Sequence, residues 1–123
     1  MNAYPLAQPV SPPPLDNPIG VDELGARVID GAPTFSATVD FHANGMTAGV
    51  FEATRGKLEV TFPFTEHGTI LEGEVIITDQ TGLRHAYRTG DSFLIRQGEV
   101  VIWDVQVPRV RKSFLNVVVV AQT

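Results

Sequence analysis

The chain has 123 residues, no cysteine, 43% hydrophobic and 19% charged residues, and a formal net charge of −5. That length suits one domain with a single core, and the lack of cysteine excludes disulfides, thiol catalysis and thiolate metal sites. The acidic balance, with a pI near 5.0, supplies no general field for nucleic acid or anionic membranes, and no stretch approaches the ~18 apolar residues of a membrane-spanning helix.

Met1 to Pro18 holds six of the nine prolines, including Pro12-Pro13-Pro14. Such a stretch lacks amide donors and favours extended polyproline conformations. Residues 1–20 are therefore expected to form a Pro-rich arm lying on the surface or on a neighbouring subunit, ahead of one domain over 21–123. The N-terminus lacks the basic region and apolar core of a secretory signal, so a cytoplasmic location is expected.

Val21 to Ala32 has room for one short helical turn before Gly31. Thr34 to Phe41 reads as an edge strand ending at the Asn44-Gly45 turn. Thr47 to Ala53 reads as a strand followed by a turn at Arg55-Gly56. Lys57 to Phe64 alternates, with Leu58, Val60, Phe62 and Phe64 on one face. Pro63 places that strand's end or a sheet edge nearby.

Further strands are expected over Glu66–Glu72, Glu74–Asp79, Leu83–Tyr87, Ser92–Ile95, Glu99–Val105 and Lys112–Val120. Turns at Gly73, Gln80-Thr81-Gly82 and Gly90 separate several of them. The run Val117 to Ala121 reads as buried. Short strands throughout, with no long helical periodicity, predict an all-β fold of the double-sheet jelly-roll type.

Two glycine-anchored spacings are more specific. Glu66 precedes Gly73 by six intervening residues, and Gly90-Asp91 precedes Gly98 by another six. With ILEGEV, GDSF, Trp103 five residues after Gly98, and Arg111-Lys112 beyond, the stretch Met46–Val120 resembles the small single-domain cupins. The resemblance is to those grouped with the ureidoglycine aminohydrolase cupin domain. It implies a cupin double-stranded β-helix, that is, a jelly-roll barrel, and for the aminohydrolase itself a metal-assisted deamination inside the barrel.

Metal-binding cupins present two histidines and a glutamate from the first motif and one histidine from the second. Carried over position by position, the glutamate is Glu66, the first two histidine positions fall on Val60 and Phe62, and the last falls on Val101. A register one residue earlier puts Glu59 and Thr61 at the first two. Valine and phenylalanine offer no donor atom, so no conventional metal site and no cofactor are expected. Whether Glu66, Glu59 or the histidines build an unconventional one stays open. His67 should point away from Glu66, His85 sits in a polar stretch and His42 beside a turn.

Glu66 then requires a partner or a task, since a lone carboxylate in an apolar barrel is costly. It either pairs with Lys112 or Arg96 to close the barrel mouth, or anchors a small ligand. Trp103 shares strand parity with Val101 and Val105, and serves as core packing or as a pocket wall with Phe51 as companion. Arg111 and Lys112 are either surface charges or part of the site. The expected ligand-binding set is Glu66, Trp103, Val60, Phe62, Val101 and Lys112.

The sequence thus predicts a homodimeric cupin that binds a small organic molecule without a conventional metal. The alternatives are a metal-dependent cupin enzyme acting on a nitrogen-rich, sugar or other small substrate, and a structural or interaction domain whose barrel is only a packed core.

Overall fold

Nine strands carry the fold among residues 1–6 and 18–120, the part of the chain that the computed structural model describes. They are β1 (Pro18–Ile19), β2 (Ala26–Asp30), β3 (Phe35–Ala43), β4 (Met46–Thr61), β5 (Thr65–Glu72), β6 (Glu74–Thr78), β7 (Arg84–Arg88), β8 (Ser92–Ile95) and β9 (Val100–Val117). A four-residue 3-10 turn, Val21–Leu24, is closed by Gly25 at φ +67°. Most of the expected Pro-rich arm lies outside the described residues. Near its end, Pro18 and Ile19 pair with Ser36 and Phe35.

Two long strands, β4 and β9, build both layers. The first half of β4 pairs with β3 on one side and with the second half of β9 on the other. That half of β9 also pairs with β5, which pairs with β8. The second half of β4 instead pairs with β2 and with the first half of β9, which carries β6 and then β7. Each long strand passes from one sheet to the other, which is how a jelly roll closes on itself.

The crossing point explains two differences from the sequence reading. No turn forms at Arg55-Gly56; β4 continues through it with a bulge between Thr54 and Gly56. A bulge bends the strand and sharpens its twist, which lets β4 change sheets. Gly56 is required there because the ring of Pro33 sits 2.7 Å from where a Cβ would be. Likewise β9 is one strand, where two were expected, and it runs through Pro108. The ladder to β4 steps from Val105–Gly56 to Arg109–Thr54, so Pro108 falls where it withholds no hydrogen bond from β4.

Two smaller corrections follow. The segment expected to hold a helical turn gives the 3-10 turn at its start and strand β2 over the rest. Val118, Val119 and Val120 are exposed rather than buried. β4 begins at Met46, so past Val117 the ladder has no partner left beyond the Val118 amide to the Gly45 carbonyl. The Asn44-Gly45 turn forms as expected, with φ of +53° and +77° joining β3 to β4. Two adjacent left-handed residues match the twist of a tight hairpin.

Alternation places one side chain in two inside the barrel. Phe35, Phe51, Ile70, Phe93, Ile95 and Val110 face inward from one sheet, and Leu58, Val60, Val75, Ile77, Val101, Trp103 and Val105 from the other. Burial of each large side chain contributes roughly 1.5–3 kcal/mol.

Candidate functional site

Lys112, Phe114 and Asn116 alternate along the second half of β9 and so project to the same, inner side. Across the sheet, Lys112 lies opposite Phe51 and Ile70, Phe114 opposite Gly49 and Gly68, and Asn116 opposite Thr47 and Glu66. Of the two glycines in the middle row, Gly68 leaves space on the inner side. The ring of Phe93 fills it over Gly68, where a Cβ would meet the ring at 2.5 Å. Lys112 spans this row, and its Nζ donates to Glu66 Oε2 at 2.5 Å.

The pair is almost dry, with side-chain exposures of 7% for Lys112 and 3% for Glu66. Three rings surround the ammonium, with centroids at 4.6 Å for Trp103, 4.8 Å for Phe51 and 5.5 Å for Phe93. Phe51 and Phe93 each meet Trp103 nearly edge-on. Aromatic faces carry negative charge density, so the box favours a cation. Glu66 therefore pairs with Lys112, the first of the two partners its position allowed. Arg111 and Lys112 are both buried, which removes the surface-charge alternative for either.

A cavity of about 240 Å³ opens beside this pair. Of the six residues singled out from sequence, Glu66, Trp103, Val60, Phe62 and Lys112 line it. Val101 is absent from its wall and belongs to the core cluster, opposite Val60 on β4. Asn116 also lines the cavity and escaped the sequence reading, although its parity with Lys112 was a usable signal. The Trp103 Nε1 and the Asn116 Oδ1 are buried and have no hydrogen-bond partner among the described residues.

The fold family raises the matter of a divalent metal, and the residues here do not fit one. Val60 and Phe62 line the cavity at the histidine positions without a donor atom, and the lysine ammonium takes the Glu66 carboxylate. Glu59 points outward to Arg27 at 3.1 Å. His67 is exposed on the far face of β5, His42 bonds Thr47, and His85 pairs with Asp79. No three acidic or histidine side chains among the described residues converge as a ligand group.

A second polar cluster, missed from sequence, sits on the outer side of the same sheet. Glu52 is buried and bonds Arg111 at 2.7 Å and Arg109 at 3.4 Å, and Arg109 reaches Glu72 at 3.2 Å. A cleft of about 690 Å³ borders it. Its charges neutralise one another on the face opposite the aromatic box.

The fold and cavity define a cupin barrel. Residues 42–114 match the model of the EutQ-like cupin domain, more than half of the chain, and the chain belongs to that family. None of the curated proteins matches the sequence. Among solved structures, the Clostridium difficile EutQ protein aligns with a TM-score of 0.62 and 15% identity, over 70% of this chain and 69% of that one. A protein of unknown function from Pseudomonas syringae pv. tomato aligns with a TM-score of 0.69 and 21% identity, over 82% of this chain and 42% of that one. Another, from Rhizobium leguminosarum, aligns at 0.63 and 15%, over 69% and 82%. At such identities these likenesses establish the fold.

Proposed function

We propose that the barrel takes up a small organic molecule, and does so without a conventional metal site. The observation that carries this is a mostly apolar cavity of about 240 Å³ whose wall includes one buried ion pair, Glu66–Lys112. A barrel that were only a packed core would fill such a space rather than leave it beside a buried ion pair. Apolar walls with a few placed polar groups are the ordinary form of a small-molecule site.

The resemblance to the ureidoglycine aminohydrolase group does not extend this reading to deamination, because three of the four ligand positions, Val60, Phe62 and Val101, lack donor atoms. A homodimer in the cytoplasm remains part of the proposal. An outward row of Phe41, Ala48, Leu115, His67 and Leu94, continuous across five strands, supports the dimer. Three of its members are large exposed hydrophobics.

Thermal-shift screening of small organic compounds tests the binding reading. Ala37, on the cavity wall, offers the control. Ala37→Phe should abolish every stabilisation seen in the wild type while keeping the β-sheet circular dichroism. Stabilisation that survives in this variant would place binding elsewhere. Elemental analysis of the same protein separates the metal-enzyme alternative, which requires a stoichiometric transition metal.

A further inference from the structure

We infer that the cavity takes a hydrocarbon, an uncharged molecule of about ten carbon atoms held by contact with the wall and not by hydrogen bonds to it. This rests on the binding reading above and names the chemistry of the ligand.

The polar side chains of the wall are Glu23, Thr47, Glu66, Trp103, Lys112 and Asn116. Glu66 and Lys112 hold each other with only 3% and 7% of their side chains exposed. Trp103 and Asn116 are buried, and the indole nitrogen of one and the amide oxygen of the other each have less than 1 Å² of accessible surface. The Thr47 hydroxyl is taken by the His42 ring at 2.8 Å. Glu23 alone is exposed, on the 3-10 turn, where water reaches it.

A molecule that enters therefore leaves its hydrogen bonds to water behind and meets polar groups that are sealed or already engaged. For a hydroxyl or an amide that loss is costly. For an ion it is worse, because the one charge pair inside neutralises itself and offers no counter-charge. Carbon loses nothing of the kind. It meets Phe51, Leu58, Val60, Phe62 and Phe114, and each methylene moved from water onto these side chains favours binding. The burial that puts the polar atoms out of reach thus selects for hydrocarbon.

Size follows from volume. An engineered apolar cavity of about 150 Å³ in another protein receives the six carbons of benzene. In proportion, a cavity of about 240 Å³ receives about ten.

A set of related benzenes tests this. p-Cymene is a hydrocarbon of the stated size, and 4-isopropylphenol exchanges its methyl group for a hydroxyl. 4-Isopropylbenzoate and 4-isopropylbenzylammonium carry charge, and benzene is too small. Each is titrated into the isotope-labelled wild-type chain and followed by NMR at the amides of Val60 and Phe62. p-Cymene should bind best, with the phenol and benzene each about tenfold weaker or more. The two ions should not bind where p-cymene saturates. Ala37→Phe and Val60→Phe should each abolish p-cymene binding by filling the space, and binding retained in either folded variant overturns the inference. So does a phenol or an ion that binds as tightly as p-cymene, or benzene that does. In those cases the binding reading stands. If the whole panel fails while the wider thermal-shift screen yields a compound that Ala37→Phe loses, the inference falls alone. If that screen also yields none, the binding reading falls with it.

Discussion

At the scale of single residues, the Glu66–Lys112 pair governs what the barrel interior tolerates. Glu66→Gln leaves an ammonium buried without its counter-charge, and urea unfolding should show a loss of about 3 kcal/mol. Replacing both partners, as Glu66→Gln with Lys112→Met, should recover most of that loss, because the desolvation cost of each ion disappears with it. A double variant as unstable as the single one would mean that the ammonium was never compensated by Glu66. A second residue-scale effect lies at the β6–β7 turn. The Asp79 carboxylate accepts first from the Thr81 hydroxyl, then from His85, and also from the Thr81 and Leu83 amides, which lowers its pKa to about 2. The folded form thus holds Asp79 ionised more readily than the unfolded chain does. Its contribution is complete above the usual carboxylate pKa near 4 and fades as pH falls through about 2. Asp79→Asn should accordingly flatten the acid limb of the stability profile between these values, and a carboxyl NMR titration with an ordinary midpoint would contradict the assignment.

At the scale of elements, glycine positions separate a turn from a contact. Gly73 and Gly82 both adopt left-handed φ, +80° and +86°. A Cβ on Gly73 would lie 2.3 Å from the Arg109 carbonyl oxygen, whereas nothing lies within 4 Å of one on Gly82. Gly82→Ala should cost only the conformational term, about 1 kcal/mol, and Gly73→Ala about 3 kcal/mol or more, because β9 must also move. Equal melting shifts for the two would mean that the β5–β6 corner yields freely. The same elements show what was legible beforehand. Strands β5 to β8 have clean alternation and glycine turns, and the sequence places them within a residue or two. It divides β4 and β9 wrongly, because Gly56 and Pro108 look like breaks when read locally. Only the pairing of two bent strands shows that one is a bulge and the other sits where no ladder bond is needed. The buried Glu52–Arg111 bond was hidden for the same reason, since outward-facing charges on alternating strands read as solvated until the covering elements are known.

At the scale of the whole molecule, five of the six residues expected at the site come together around one cavity. Glu66 and Trp103 were legible from motif spacing and parity. Val101 was misplaced because strand parity gives the inner side of a sheet but not the depth along it. Asn116 was missed because the run from Lys112 was read for its hydrophobic end. The outer row from Phe41 to Leu94 predicts association, and Leu115→Glu should shift sedimentation toward the monomer while leaving thermal stability within about 0.5 kcal/mol. A wild type that sediments as a monomer at all concentrations would remove the dimer from the proposal. The central claim is that the cavity around Glu66 and Lys112 receives a small molecule. Trp103 is the only tryptophan in the chain, so its indole N–H gives a single resonance that reports from the cavity wall. Titration with a compound that stabilises the protein in the thermal-shift screen should move that resonance saturably in the wild type, and should leave it in place in Ala37→Phe. If every compound that stabilises the protein leaves the Trp103 indole signal unmoved, the cavity is not the site and the claim is wrong.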